Sequence, residues 1–204
     1  VDFFEKNKKH VYTALTILIV LIAGTVLFVN KRTANNELAA VEIEKVKPLY
    51  NAGNFEQAVN GDSLGNSKGL IYIVNEFGST ENGEYAKLML ANSYYSLRDF
   101  DNAEKYYKEF SGSNDVLKVS AIAGLAGVYE AKNDYLNAAR QFQKAANTDK
   151  ENPFVDQYLF YAAKDYFRAG DFDESKKLLD ELKKDYPKSK YIAESERFRA
   201  SMKN

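Results

Sequence analysis

The chain has 204 residues, 45% of them hydrophobic and 28% charged, enough for one ordinary folded domain and a further short segment. Its 28 Lys and Arg are interspersed with 29 acids for a formal net charge of -1, so no basic field is offered to nucleic acid. Cys is absent and His10 is the single histidine, which excludes disulfides, thiol chemistry and the usual zinc and haem ligand sets.

The first element is an uncharged run, Val11 to Val29, bracketed by Lys6, Lys8, Lys9 and His10 on one side and by Lys31 and Arg32 on the other. At helical rise it spans roughly 28 Å, close to the ~30 Å hydrocarbon core of a bilayer. It reads as a single transmembrane helix. A cleaved signal peptide would carry a shorter apolar region followed by small residues; Phe28-Val29-Asn30-Lys31-Arg32 follows here, so an uncleaved anchor is expected. Cations stand on both sides, and the positive-inside rule leaves the orientation open. Within the span, Thr13, Thr16, Val20, Ala23 and Gly24 fall near one stripe small enough for another membrane helix to approach.

Ala34 to Ala52 continues with good helix formers and is expected to leave the membrane as a helix that bends at Pro48. Next comes a phrase that recurs four times: Gly53-Asn54-Phe55-Glu56-Gln57-Ala58, Arg98-Asp99-Phe100-Asp101-Asn102-Ala103, Asn133-Asp134-Tyr135-Leu136-Asn137-Ala138 and Gly170-Asp171-Phe172-Asp173-Glu174-Ser175. Its first residue is Gly or Asn in three copies, types that tolerate the left-handed end of a helix. Its second is Asn or Asp in all four, an N-cap for the following helix. Gln57 and Glu174, three residues beyond their caps, predict capping boxes in the first and last copies, with Asn102 and Asn137 filling that role less well. Each phrase therefore reads as the elbow of a helical hairpin.

After the first elbow, Asn60 to Gly69 is rich in turn residues and predicts a loop inserted into the second helix of that hairpin. Leu70 to Val74 is β-branched but is read as helix, because the hairpins around it override strand propensity. The small residue of the elbow recurs at Ala58, Ala103, Ala138 and Ser175, at spacings of 45, 35 and 37. The first spacing is longer by about the length of the insertion. Tyr94, Tyr129 and Tyr166 stand nine residues before the small residue, Ala91, Ala126 and Ala163 twelve before it, and Tyr107, Phe142 and Leu179 four after it. Pro153 and Pro187 fall where hairpins end. Lys188 to Lys203 supplies Tyr191, Ile192 and Phe198 on one face of a terminal capping helix.

A period near 34 with an aromatic, then a small residue three positions later, resembles the tetratricopeptide repeat. The resemblance implies an all-α fold: one transmembrane helix, then an α-solenoid of about four hairpins and a C-terminal cap. The boundaries are a polar segment over 1–10, the span over 11–29, a juxtamembrane helix over 30–52 and the repeat domain over 53–204, with the first solenoid helix beginning near residue 35. Carrying the repeat register across places Tyr85, Leu88, Asn92, Tyr95 and Ser96, then Glu130, then Gln157, Phe160, Lys164, Phe167 and Arg168 on the inner groove. Aromatic and Arg residues there suit a protein partner. The carboxylate clamp of some relatives needs a Lys ahead of the Asn; Leu88 precedes Asn92, so that ligand mode is not expected.

Neither catalysis nor a cofactor finds support in the residues. Asp171, Asp173 and Glu174 are cap and first-turn acids. Asn60-Gly61-Asp62 and Gly65 lack the endings of a phosphate loop and the ordered ligands of an EF-hand. No metal, nucleic acid or small-molecule substrate is expected.

Taken whole, the anchor, the linker helix, the elbow with its Asn-Gly-Asp insertion and the closing Phe77-Gly78-Ser79-Thr80 are similar to the YfgM-type membrane-anchored tetratricopeptide proteins of bacteria, in a form like that of the Bacteroidota. That resemblance implies an inner-membrane protein with a cytoplasmic N-terminus and periplasmic repeats. It also implies an accessory role at the Sec translocon, with SecYEG and a PpiD-like periplasmic chaperone as partners. The alternatives are a structural accessory subunit of another membrane or envelope complex and, if the repeats face the cytoplasm, a targeting receptor.

Overall fold

The computed structural model describes residues 2–201; Val1 of the polar N-terminal segment and residues 202–204 of the predicted cap lie outside the described residues. Ten helices and no strand are present among the described residues: α1 (Asp2–Asn51), α2 (Phe55–Asn60), α3 (Gly69–Phe77), α4 (Glu81–Ser96), α5 (Phe100–Glu109), α6 (Asp115–Ala131), α7 (Tyr135–Thr148), α8 (Val155–Arg168), α9 (Phe172–Asp185) and α10 (Ile192–Ser201).

All four elbows close in the same way. Gly53, Arg98, Asn133 and Gly170 adopt positive φ. In each, the N–H of that residue donates to the carbonyl three back, and the next N–H donates to the carbonyl five back, as in Asn133 to Glu130 (2.9 Å) and Asp134 to Tyr129 (2.9 Å). These are the two bonds of a Schellman ending, which satisfies the last carbonyls of the outgoing helix. Asp99, Asp134 and Asp171 then accept from the N–H of the third residue beyond, at 3.2, 3.3 and 3.2 Å.

The expected capping boxes do not form in the way the sequence suggests. The cap's own N–H is already committed to the Schellman bond, so it is not free to donate to Gln57 or Glu174, and Glu174 accepts from Lys177 instead, at 3.1 Å. Asn102 and Asn137 instead donate to the cap carboxylates at 2.7 Å. Asn54 makes no side-chain cap bond.

The insertion is present but one residue shorter at each end than expected: Asn60 closes α2 and Gly69 opens α3, so Gly61 to Lys68 splits the second helix of the first hairpin. Leu70 to Val74 is helical within α3.

Packing is sequential. Each helix lies against its chain neighbour, and α1 on α4 and α4 on α6 form a layer of first-of-hairpin helices. Small residues let the helices approach closely: Ala91, Ala126 and Ala163 on the first helices and Ala58, Ala103 and Ala138 on the second are all buried. Ser175, standing where the other elbows have Ala, satisfies its hydroxyl by donating to the Ala163 carbonyl at 2.7 Å. The apolar core is a chain of local clusters rather than one centre, as a solenoid requires.

The 50-residue α1 is about 75 Å long at helical rise. Its N-terminal part exposes Leu15, Ile17 to Leu21 and Val26 to Val29, and it is long and apolar enough to cross a membrane. Its C-terminal part buries Ala39, Ile43 and Val46 against α3 and α4. The candidate span and the first solenoid helix are thus one element. Pro48 lies within the last turn of α1 and does not end it; Ala52 N–H donates to the Pro48 carbonyl at 3.1 Å.

Candidate protein-binding surface

The register predicts that positions on the first helix of each hairpin are left free for a partner. Two of those residues are packing residues instead. Leu88 is 4% exposed in a cluster with Ala121 and Leu125, and Phe160 is 1% exposed in the cluster of the last hairpin. Leu88 is covered by the following hairpin. Phe160 is covered by the cap, its ring stacked 5.2 Å from Tyr191 and set edge-on to Phe198 at 6.5 Å. A position that is open in an isolated repeat closes when the next unit stacks on it.

Two more are engaged internally. Tyr85 packs against the first core cluster. Asn92 donates to the Tyr50 hydroxyl at 3.2 Å and accepts from the Tyr107 hydroxyl at 2.6 Å, which joins α1, α4 and α5. Burial pushes the Tyr107 phenol up, so it serves as a donor at all ordinary pH.

Tyr95 and Phe167 belong to a pattern that the sequence reading missed. Residues five apart across an elbow pair their rings edge-on: Tyr50 with Phe55 at 5.6 Å, Tyr95 with Phe100 at 5.7 Å and Phe167 with Phe172 at 5.2 Å. The spacing was visible in the chain, but it is meaningful only once the elbow's turn brings the two positions together. Tyr95 nevertheless remains 39% exposed. Phe167 is further covered by Phe198 at 5.0 Å.

In the second regular hairpin the pair is broken, because Glu130 stands where the others have an aromatic. Arg168 of the next hairpin takes its place. Its guanidinium lies 5.2 Å from the Tyr135 ring centre and bonds Glu130 and Asp165, each at 3.2 Å. Lys164 sits over the Phe160 and Tyr161 rings at 5.6 and 5.8 Å. Gln157 is half-buried and Ser96 is exposed on the same register. Of the predicted groove residues, Tyr95, Ser96 and Arg168 are exposed and Gln157 and Lys164 half-buried, with Glu130 half-buried beside the guanidinium.

The membrane-helix stripe of Thr13, Thr16, Val20, Ala23 and Gly24 is exposed throughout. Thr13 and Thr16 turn their hydroxyls back onto the Lys9 and Tyr12 carbonyls at 2.9 Å, so neither needs a partner to satisfy it. Where the span ends, Phe28, Arg32 and Asn36 share a recess with Thr80, Glu81 and Ser113. Asn82 joins the two sides by donating twice to Asn36: its N–H to Asn36 Oδ1 at 2.8 Å and its Nδ2 to the Asn36 carbonyl at 3.0 Å. Glu84 ties α4 to the loop before α6, accepting from Ser111 N–H and Oγ at 2.8 Å each and pairing with Lys87 at 2.7 Å. Burial works to raise the Glu84 carboxyl, but Lys87 and Ser111 outweigh it and hold it below the usual range.

No group of three or more His, Asp or Glu with metal-holding geometry occurs among the described residues. Comparison with known families matches residues 2–151 to a tetratricopeptide repeat-like domain and residues 157–189 to a tetratricopeptide repeat. The first match takes in the apolar stretch together with the first hairpins; the second covers the α8–α9 hairpin. No curated protein matches the chain.

Proposed function

We propose that this chain, which belongs to the tetratricopeptide repeat-like domain family, is a membrane-tethered scaffold that holds a protein partner on the face formed by Tyr95, Ser96, Gln157, Lys164 and Arg168. The observation that carries this reading is the unbroken α1. One helix provides both the apolar span and the buried residues Ala39, Ile43 and Val46, so the repeats are held at a fixed height and angle to the membrane rather than on a loose linker. Asn36 and Asn82 brace that junction. Family repeats of this kind display surfaces to other proteins, and exposed Tyr and Arg are the residue types that anchor such contacts.

The finer reading is an accessory of the bacterial Sec translocon. The anchor would sit in the inner membrane beside SecYEG, with the N-terminus cytoplasmic and the repeats in the periplasm, where they would meet a PpiD-like chaperone or an emerging chain. Its support is the resemblance of the whole architecture, from span to elbow insertion, to the YfgM-type proteins. The lack of native Cys agrees with an extracytoplasmic domain. Purification from crosslinked membranes tests it: the expected result is co-recovery of SecYEG or the chaperone. Recovery of a different membrane complex, with neither present, would instead make the chain a structural subunit of that complex.

A further inference from the structure

Asp165 occupies a position that the repeat otherwise fills with a small or apolar residue. Ten residues before the elbow's small residue stand Ser93, Val128 and Asp165, all buried, with Asp165 at 1% exposure. Ser93 satisfies itself by donating to the Met89 carbonyl at 2.9 Å, and Val128 has nothing to satisfy. The Asp165 carboxyl is only half satisfied. Its Oδ1 accepts from Arg168 Nη1 at 3.2 Å, while its Oδ2 is buried with no partner. A second carboxyl, Glu130 of α6, accepts from the same Arg168 nitrogen at 3.2 Å and acts on Asp165 through both its charge and a side-chain hydrogen bond.

Two ionised carboxylates cannot bond each other, because each only accepts; adding one proton turns an acceptor oxygen into a donor. A buried, unpaired carboxylate oxygen costs several kcal/mol on the order of a lost charged hydrogen bond, and a proton removes that cost. We propose that Asp165 and Glu130 share one proton, taken from solvent, which closes the contact between the α6 and α8 hairpins: Asp165 Oδ2–H donates to Glu130 while Arg168 spans both carboxyls.

The electrostatics of the pocket agree. Burial, then the Glu130 charge, push the Asp165 carboxyl up to about 7, against the pull of Arg168. The charges that act on this carboxyl are Glu130 of α6 and Arg168 of its own helix. From α7 the contribution is the Tyr135 ring beneath Arg168, while Arg140 of α7, Glu174 and Lys177 of α9 and the elbow's Asp171 act on the adjacent Tyr166 hydroxyl. Because the folded carboxyl holds its proton to higher pH than the unfolded one, the folded chain binds more protons. The stabilisation is full below the ordinary Asp range and is lost as pH rises toward 7. The joint is therefore tighter in acid, independently of any membrane or partner.

Thermal unfolding of the full chain in detergent, compared between pH 5 and pH 8 for the wild type, Asp165→Val and Asp165→Asn, tests this. The wild-type midpoint is expected to fall by roughly 5 °C more over that range than the midpoint of Asp165→Val, which reproduces the Val128 environment. Asp165→Asn, whose amide donates to Glu130 at every pH, should lose the same dependence; it carries the test alone if the Val variant does not fold. Parallel pH profiles for the wild type and the folded variant or variants would overturn the shared proton.

Discussion

Arg98 is the residue at which side-chain chemistry and backbone demand conflict most plainly. It holds φ of 62° in an elbow where two of the other copies use Gly. A left-handed residue with a Cβ costs about 1–2 kcal/mol, and Gly removes that strain while loosening the unfolded chain. Arg98→Gly is therefore expected to raise the unfolding midpoint by a few degrees, whereas Gly170→Val at the matching position should lower it; calorimetry of the two variants checks both signs. Ser175 gives a second prediction. Its hydroxyl fills the Ala site and bonds the Ala163 carbonyl, so Ser175→Ala should be nearly neutral and Ser175→Val should destabilise by about 1–3 kcal/mol through overpacking. Glu84 titrates with the opposite sign to Asp165. Its depressed carboxyl contributes stability above the ordinary Glu range that is lost as pH falls through the folded value, so Glu84→Ala should destabilise at pH 7 and converge toward wild type in strong acid. Cap residues and small residues were legible in the sequence because each acts within its own turn. The charge cluster of Glu130, Asp165 and Arg168 was not, since it depends on two hairpins meeting.

Among the helices, α1 and α10 decide most about the surface left to a partner. The sequence reading found every hairpin and located the insertion, because elbow chemistry repeats locally. It treated Phe160 as open because nothing local reports that Tyr191 and Phe198 fold back over it. Truncating the cap's anchor, Phe198→Ala, should cost about 2 kcal/mol by removing ring contacts with Phe160 and Phe167, and should increase binding of a hydrophobic dye. At the other end, Asn36→Ala removes the side-chain acceptor of the Asn82 N–H and leaves the bond from Asn82 Nδ2 to the residue 36 carbonyl in place. A loss of about 1 kcal/mol is expected, with faster hydrogen exchange at the start of α4 rather than across the solenoid.

For the whole molecule, the rigid passage from apolar helix to first hairpin converts a general repeat scaffold into one with a fixed stance. Its chain of local core clusters allows the joint around Asp165 to vary without disturbing the first hairpins. Orientation is readily checked, since the chain has no native Cys: Ser113→Cys, in the loop beside the end of the span, should react with an impermeant thiol reagent in intact spheroplasts. Labelling only after lysis would place the repeats inside and favour a receptor role. The central claim, a membrane-tethered surface that holds a protein, is tested most directly by a photo-crosslinking residue placed in turn at Tyr95, at Lys164 and, as a control on the second helix of a hairpin, at Lys105, all in native membranes. Protein adducts from Tyr95 and Lys164 but not from Lys105 are predicted; equal yields from all three positions, or none from the first two in membrane-bound protein, would contradict it.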